Sequence, residues 1–296
     1  MNPDALTLLE SCHFPASGTS VELAVSGGPD SLGLLLLALS ANLSVTVHHV
    51  DHHARATSAD DADHVARICE RLGVPYVRHD VTVATGANFE ARARSARRSV
   101  LPTGVMTGHT MDDLAETVLL NLMRGSGVDG LSPMVGDATK PLRDVRRRAL
   151  HDYVARSGEV ALHDETNDSP AFRRNRVRLE LMPLMQDIAQ RDVVAVIARQ
   201  AALMYDERQW LDAHSVDDAP SALADADCRD LRAWPTARLR RWLRVQLRES
   251  DHGDGEHPPS ADEVERALSV VRGDVVATEL HGGRRLARRG QRLTLE

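Results

Sequence analysis

Ser26-Gly27-Gly28-Pro29-Asp30-Ser31 interrupts the chain between an apolar stretch, VELAV, and the run LGLLLLAL. Two glycines permit a tight backbone whose N–H groups face one way, and a helix starting at once adds its positive end. Such a segment can cradle an anion. It is not a Walker loop, because the Gly-x-x-x-x-Gly-Lys-Ser/Thr spacing is missing and the segment holds no lysine. Asp30 sets a carboxylate where phosphates would lie, which makes chemical sense once a cation such as Mg²⁺ joins them. The plainer alternative is a glycine turn with an aspartate capping a helix.

Asp112, Asp113 and Glu116 form a second acidic group at the start of the apolar stretch 111–123. On a helix Asp112 and Glu116 share a face at i, i+4. Helix N-termini attract acids in any case, yet three beside His109 exceed what capping requires. The tract His48-His49-Val50-Asp51-His52-His53 looks like a metal ligand set. A strand sends His48 and His49 to opposite faces, however, which disfavours a shared zinc. Arginines cluster at 92–98, 143–148 and 173–178, either as solvated helix faces or as contacts to a polyanion.

The elements that must position these groups are legible from periodicity. Strand-like segments at 21–25, 45–50, 75–83 and 104–108 alternate with helix-like segments at 31–41, 59–72, 89–101 and 111–123. Such an order implies a parallel sheet with helices on both faces. Ligands collect at the carboxyl ends of parallel strands, and the glycine loop, Asp51 and His109 all fall at such ends. Beyond Arg124 the alternation stops. Residues 125–180 read as loop and helix, 192–214 as a helix, and 215–227 as a polar linker. Helices at 235–248 and 262–271 and two or three short strands then suggest a small α+β domain. Trp210, Trp234 and Trp242 fall on these later helices and are expected in the core.

Net charge is −7 over 296 residues, but it is unevenly spread. Residues 92–178 hold 15 basic and 11 acidic side chains, a positive middle between two negative flanks. A local basic surface can hold a polyanion on an acidic protein, since screening limits the reach of distant charge. Lys140 is the only lysine, and aromatic residues are 3%, so platforms for stacking bases are scarce. Three scattered cysteines without a Cys-x-x-Cys pair argue against a disulfide frame, a zinc ribbon or a cysteine-held iron–sulfur cluster. The first twenty residues lack a basic leader and the run 32–39 is too short to span a bilayer. A cytoplasmic protein with no membrane contact is expected.

SGGPDS after an apolar strand resembles the SGGxDS loop of the PP-loop ATP pyrophosphatases. Five further blocks resemble the tRNA(Ile)-lysidine synthetases within that superfamily. They are HVDHHAR, FEARARSARRSVL, GHTMDDLAETVLLNLMRGSGVDGLSPM, KPLRDVRRRALHDY and HDETNDSPAFRRNRVRLELMPLM. The blocks run in order over residues 21–185, whereas the last hundred residues match loosely. Arg98 stands where tyrosine is usual, Lys140 where arginine is usual, Leu179 where histidine is common and Thr166 where serine is usual. None of these departures touches the loop.

The resemblance implies an α/β fold, a parallel sheet flanked by helices of the PP-loop/adenine nucleotide alpha hydrolase-like kind, over residues 1–214 with a helical tail. Residues 215–296 would form the smaller α+β domain that assists tRNA binding. It implies ATP held by Ser26, Gly27, Gly28, Pro29, Asp30, Ser31, His49, Asp51 and His109, with Mg²⁺ at Asp30. Asp30, Asp112, Asp113 and Glu116 would be catalytic, with Asp112, Glu116 and Arg124 around free L-lysine. Arg94, Arg97, Arg147, Arg173, Arg174, Arg176 and Arg178 would meet tRNA. The implied reaction adenylates the carbon-2 oxygen of the wobble cytidine in a CAU-anticodon tRNA(Ile), and the lysine ε-amine then displaces AMP from carbon 2 to give lysidine. Zinc and iron–sulfur clusters are not implied, and both a monomer and a homodimer remain open. The competing readings are a tRNA thiolase of the same superfamily, a small-molecule synthetase, and a non-catalytic tRNA-binding relative.

Overall fold

A computed structural model describes residues 3–51, 58–82, 89–162, 169–170, 172–215, 219–249 and 259–296. Two compact units divide the chain. The first comprises Met1–Leu120 and Pro133–Gln200, the second Asn121–Ser132 and Ala201–Glu296.

The first unit is built on four parallel strands, β1 (Ser20–Ala24), β2 (Ser44–Asp51), β3 (Tyr76–Asp80) and β4 (Met106–Thr107), in the order β3-β2-β1-β4. Its helices are α1 (Pro3–Leu9), α2 (Pro29–Ser40), α3 (Ser58–Leu72), α4 (Phe89–Val100), α5 (Met111–Met123), α6 (Arg147–Ser157), α7 (Arg173–Arg176) and α8 (Met182–Ala189). A π-helical turn, Val177–Leu181, joins α7 to α8. Alternation along the strands buries Val21, Leu23, Val25, Val45 and Val47 on one face. Leu32, Leu34, Leu35 and Leu37 of α2 are fully buried in the same core, each contributing about 1.5–3 kcal/mol. That near-complete burial explains an apolar run without a polar stripe.

Two glycines set the spacing around the loop. A Cβ on Gly33 of α2 would fall 2.5 Å from Leu150 Cδ1 of α6, and one on Gly108 would fall 2.5 Å from the carbonyl oxygen of Asp30. Neither helix α6 nor the segment after β4 could approach α2 so closely with a side chain there.

Some boundaries differ from expectation. Helix α2 begins at Pro29 rather than residue 31, since proline at the first helical position has no N–H to lose. Strand β3 stops at Asp80, after which Val81 N donates once more to Asp51 O at 2.8 Å. The unforeseen α1 buries Ala5 against the main core.

Helix α9 (Val193–Ser215) contributes residues to both units. The second unit adds α10 (Cys228–Arg232), α11 (Thr236–Glu249), α12 (Ala261–Arg272) and an antiparallel sheet of β5 (Ala277–Glu279), β6 (Arg285–Arg289) and β7 (Arg292–Leu295). Helix α12 carries a reciprocal cap between Ser260 and Glu263 and ends on Gly273 at φ +93°. The core gathers Leu239, Trp242, Leu243, Leu268 and Leu286. It also includes Leu223 and Ala226 from the expected linker, so part of that stretch is packed structure. Residues 216–218 lie outside the described residues. Trp242 is buried as expected, donating Nε1–H to Pro220 O at 3.0 Å, whereas Trp210 is 61% exposed and stacks on His214. Among the described residues no helix is long and apolar enough to cross a membrane.

Candidate active site

The glycine loop closes on itself through its serines. Ser31 Oγ donates to Gly28 O at 2.9 Å and accepts from Ser26 N at 3.2 Å, and the two hydroxyls lie 3.3 Å apart. Gly27 adopts φ +89°, the left-handed region that favours glycine, and a Cβ on it would displace the tip of Leu162, whose Cδ1 would lie 2.5 Å away. Gly28 is the N-cap residue of α2 and Pro29 opens the helix. The N–H groups of Asp30 and Ser31 meet no backbone carbonyl among the described residues, as the first turn of any helix dictates. They form an electropositive terminus suited to an anion.

Asp30 faces helix α6. His151 Nε2 lies 2.8 Å from its Oδ1, and Arg147 Nε lies 3.6 Å from its Oδ2. Beside the loop, at the end of β2, His49 Nδ1–H donates to Val25 O at 2.9 Å, leaving Nε2 as an acceptor. Burial lowers the His49 pKa more than the Val25 carbonyl and Asp51 raise it, so the neutral ring is favoured. Asp51 is buried and accepts from Arg78 Nη2 at 2.8 Å. His109 Nδ1 lies 2.6 Å from Thr107 Oγ1.

The three acids of α5 have different duties. Asp113 Oδ2 accepts from Thr110 N at 2.8 Å and Thr110 Oγ1 at 2.7 Å, and Asp113 N returns a bond to Thr110 Oγ1 at 3.4 Å. This oxygen therefore caps the helix. The other, Oδ1, accepts from Arg147 Nη2 at 2.8 Å and Arg174 Nη2 at 3.0 Å. Glu116, 2% exposed, accepts from Arg147 Nη1, Arg174 Nε and Arg178 Nε, all at 2.8 Å. Asp112 Oδ2 accepts from Arg147 N at 2.8 Å and Arg146 Nε at 3.2 Å. Burial opposes ionisation of Asp113 and Glu116, but the surrounding guanidinium groups outweigh it and hold both carboxyls below their usual range. A cavity of about 220 Å³ opens here, with Asp112, Glu116 and Arg178 among its polar walls and Met182, Pro183 and Val194 among its apolar ones.

Arg147 is the hub of this arrangement. It touches Asp112 through its backbone N–H, Asp113 and Glu116 through its two Nη groups, and approaches Asp30 through Nε. The three consecutive arginines at the start of α6 diverge, because each helical residue turns about 100° from the last. Arg146 pairs with Asp112 and Asp192, Arg147 turns inward, and Arg148 is exposed.

Of the arginines expected to meet a polyanion, Arg147, Arg174 and Arg178 are engaged by the acids, Arg176 pairs with Glu180 at 2.8 Å, and Arg97 and Arg173 are exposed. The Arg94 side chain and His52 and His53 lie outside the described residues. Arg124 belongs to the second unit, where its Nη1 lies 3.5 Å from Asn121 Oδ1. In that unit Asp129 of the segment after α5 is held by Arg241 Nη1 at 2.6 Å. His151, Thr110 and Gly108 escaped the reading of the sequence. Helical spacing was the available signal for His151, which lies one turn after Arg147 and next to buried Leu150. Thr110 stands three residues before Asp113, the spacing of a reciprocal cap.

Residues 4–185 match the family model of the PP-loop domain. The chain is 38% identical over 248 residues to the tRNA(Ile)-lysidine synthase of Thermobifida fusca (strain YX), covering 76% of each chain. It is 34% identical over 282 residues to that of Nocardia farcinica (strain IFM 10152), covering 92% of this chain and 86% of the other. A solved structure, the U34-tRNA thiolase NcsA from Methanococcus maripaludis, superposes with TM-score 0.53 at 14% identity over 68% of this chain and 78% of its own, a likeness of fold.

Proposed function

Because the chain belongs to the tRNA(Ile)-lysidine synthase family of PP-loop enzymes, we propose that it joins L-lysine to carbon 2 of the wobble cytidine of a CAU-anticodon tRNA(Ile) at the expense of ATP. The observation that carries this reading is the convergence of the loop aspartate and the three α5 acids on one residue, Arg147. Nucleotide site and acidic site are thereby parts of a single constellation.

The triphosphate lies on the loop N–H groups and the start of α2, with His49 and Asp51 bordering the nucleoside and His109 nearby. Carbon-2 oxygen of the extruded cytidine attacks the α-phosphorus, and the bond to the β-phosphate oxygen breaks, releasing diphosphate. The unprotonated ε-amine of lysine then attacks carbon 2, AMP leaves with the oxygen, and the amine surrenders its proton. Asp112 is the acid best placed to orient the lysine amine and accept that proton, because its side chain is the most exposed of the three and pairs with one guanidinium, that of Arg146. Glu116 and Asp113 are each enclosed by Arg147, Arg174 and Arg178. The methylene stem of lysine lies along Met182, Pro183 and Val194 of the cavity. Positioning and charge neutralisation supply most of the acceleration.

A divalent cation suits this site. Among the described residues no three ligating side chains converge on an ion, but Mg²⁺ commonly takes one carboxylate together with phosphates and water. Asp30, 34% exposed at the phosphate end of α2, is that carboxylate. The ion, when bound, neutralises phosphate charge. Exposed Arg97, Arg173 and Arg176 meet tRNA phosphates, while Arg147, Arg174 and Arg178 build the acidic site. The second unit assists in holding tRNA.

The test incubates the protein with ATP, labelled lysine and CAU-anticodon tRNA(Ile). Lysine incorporation matched by one AMP and one diphosphate is expected. Diphosphate release without tRNA-linked lysine, or ATP consumption without tRNA, would overturn the assignment.

A further inference from the structure

Resting on the ATP site just described, we propose that His151 is a positioning residue that fixes the orientation of the Asp30 carboxylate. His151 Nε2 lies 2.8 Å from Asp30 Oδ1. An ionised carboxylate only accepts, so Nε2 carries the hydrogen, and both the neutral tautomer and the cation supply it. The contact therefore persists whatever the ring's charge.

The second oxygen of Asp30 faces Arg147 Nε at 3.6 Å, beyond hydrogen-bond length. Both Nη groups of Arg147 are committed to Asp113 and Glu116. His151 thus supplies the direct bond and Arg147 the flanking charge. Together they define the plane of the carboxylate, which neither fixes alone. The two residues stand one turn apart on α6 and share a face.

Backbone packing makes this contact reproducible. Leu150, adjacent to His151, is wedged against Gly33, three residues beyond Asp30 on α2, and Gly108 abuts the Asp30 carbonyl. Both Cα positions are thereby fixed. The side chains of His151 and Asp30 remain 38% and 34% exposed, which leaves the carboxylate reachable by a ligand from its open side. In a loop whose other contacts are backbone N–H groups, a carboxylate turned the wrong way would repel phosphate, so its orientation bears on nucleotide affinity.

The experiment compares His151→Ala and His151→Gln with wild type and Asp30→Asn. It measures ATP affinity by calorimetry with Mg²⁺ and without tRNA, KM for ATP and for lysine in the lysidine assay, and thermal unfolding. His151→Ala should weaken ATP binding and raise KM for ATP about fivefold, leaving KM for lysine and the unfolding temperature unchanged. His151→Gln, with an amide N–H in reach, should restore ATP affinity to within about twofold of wild type. Unchanged ATP affinity in His151→Ala, a parallel rise in both KM values, or a glutamine no better than alanine would each overturn the proposal. If Asp30→Asn loses ATP binding while His151→Ala keeps it, this proposal alone falls. A wild type that binds no ATP overturns the underlying reading as well.

Discussion

The backbone of Asp30 rests directly on Gly108: a Cβ there would sit 2.5 Å from the Asp30 carbonyl oxygen and 2.7 Å from its carbon. Backbone cannot step aside as a side-chain tip can. Gly108→Ala should displace the start of α2, cost about 1–3 kcal/mol of stability and weaken ATP binding. Calorimetry showing wild-type affinity would refute the close contact.

The Glu116 carboxylate is almost fully enclosed by three guanidinium groups. Glu116→Gln leaves buried positive charge without its counter-ion, which should destabilise the chain by about 3–5 kcal/mol. Arg176→Gln removes an exposed i, i+4 pair with Glu180 and should leave urea unfolding unaltered. Equal effects would contradict the difference in enclosure.

Stability should fall with acid in two stages. His49 has a folded pKa below its ordinary 6.5, so the unfolded chain binds the extra proton, and stability declines as pH drops from 6.5 towards the folded value. Asp113 and Glu116 have folded values below their ordinary 3.8 and 4.5. Their contribution is complete above those values and vanishes as pH falls through the folded ones. Urea unfolding against pH should show both limbs, and His49→Gln should flatten the upper one while sparing the lower.

Adjacent arginines on α7 should behave oppositely. Arg173 is exposed, and Arg173→Gln should weaken tRNA binding and reduce the slope of log K against log salt by about 0.7–0.9 for each phosphate it no longer neutralises, without altering stability. Arg174 donates to Glu116 and Asp113, and Arg174→Gln should cost about 2 kcal/mol. An unchanged salt slope in the first variant would remove Arg173 from the tRNA surface.

The parallel sheet and the loop were legible because both speak through local pattern. VELAV alternates, VTVHHV is rich in β-branched residues, and SGGPDS has the residues that a tight anion-binding turn demands. The duties of the arginines were not legible. Arg146, Arg147 and Arg148 are identical in type, and only the phase of α6, set by Leu150 packing on Gly33, decides which turns inward. For the same reason Asp113 and Glu116 read as a pair of available acids, although their countercharges come from residues 31 to 62 positions away. Leu223 and Ala226 were hidden by a polar neighbourhood, since two small apolar contacts leave no periodic trace.

Met182 N donates to Val177 O across the π-helical turn, an i→i+5 bond. The turn accommodates one surplus residue between the arginines of α7 and the apolar residues of α8. Excising the surplus residue from 177–181 would return the segment to regular α pitch with its flanks still in phase, whereas winding all five residues at α pitch would rotate everything downstream by about 100°. In the second case Met182 would swing out of the cluster it shares with Val177, Val193 and Val194, while Arg174 kept its hold on Glu116. The insertion therefore acts as a phase adjuster, letting one continuous rod present its charged end to the acids and its apolar end to the core.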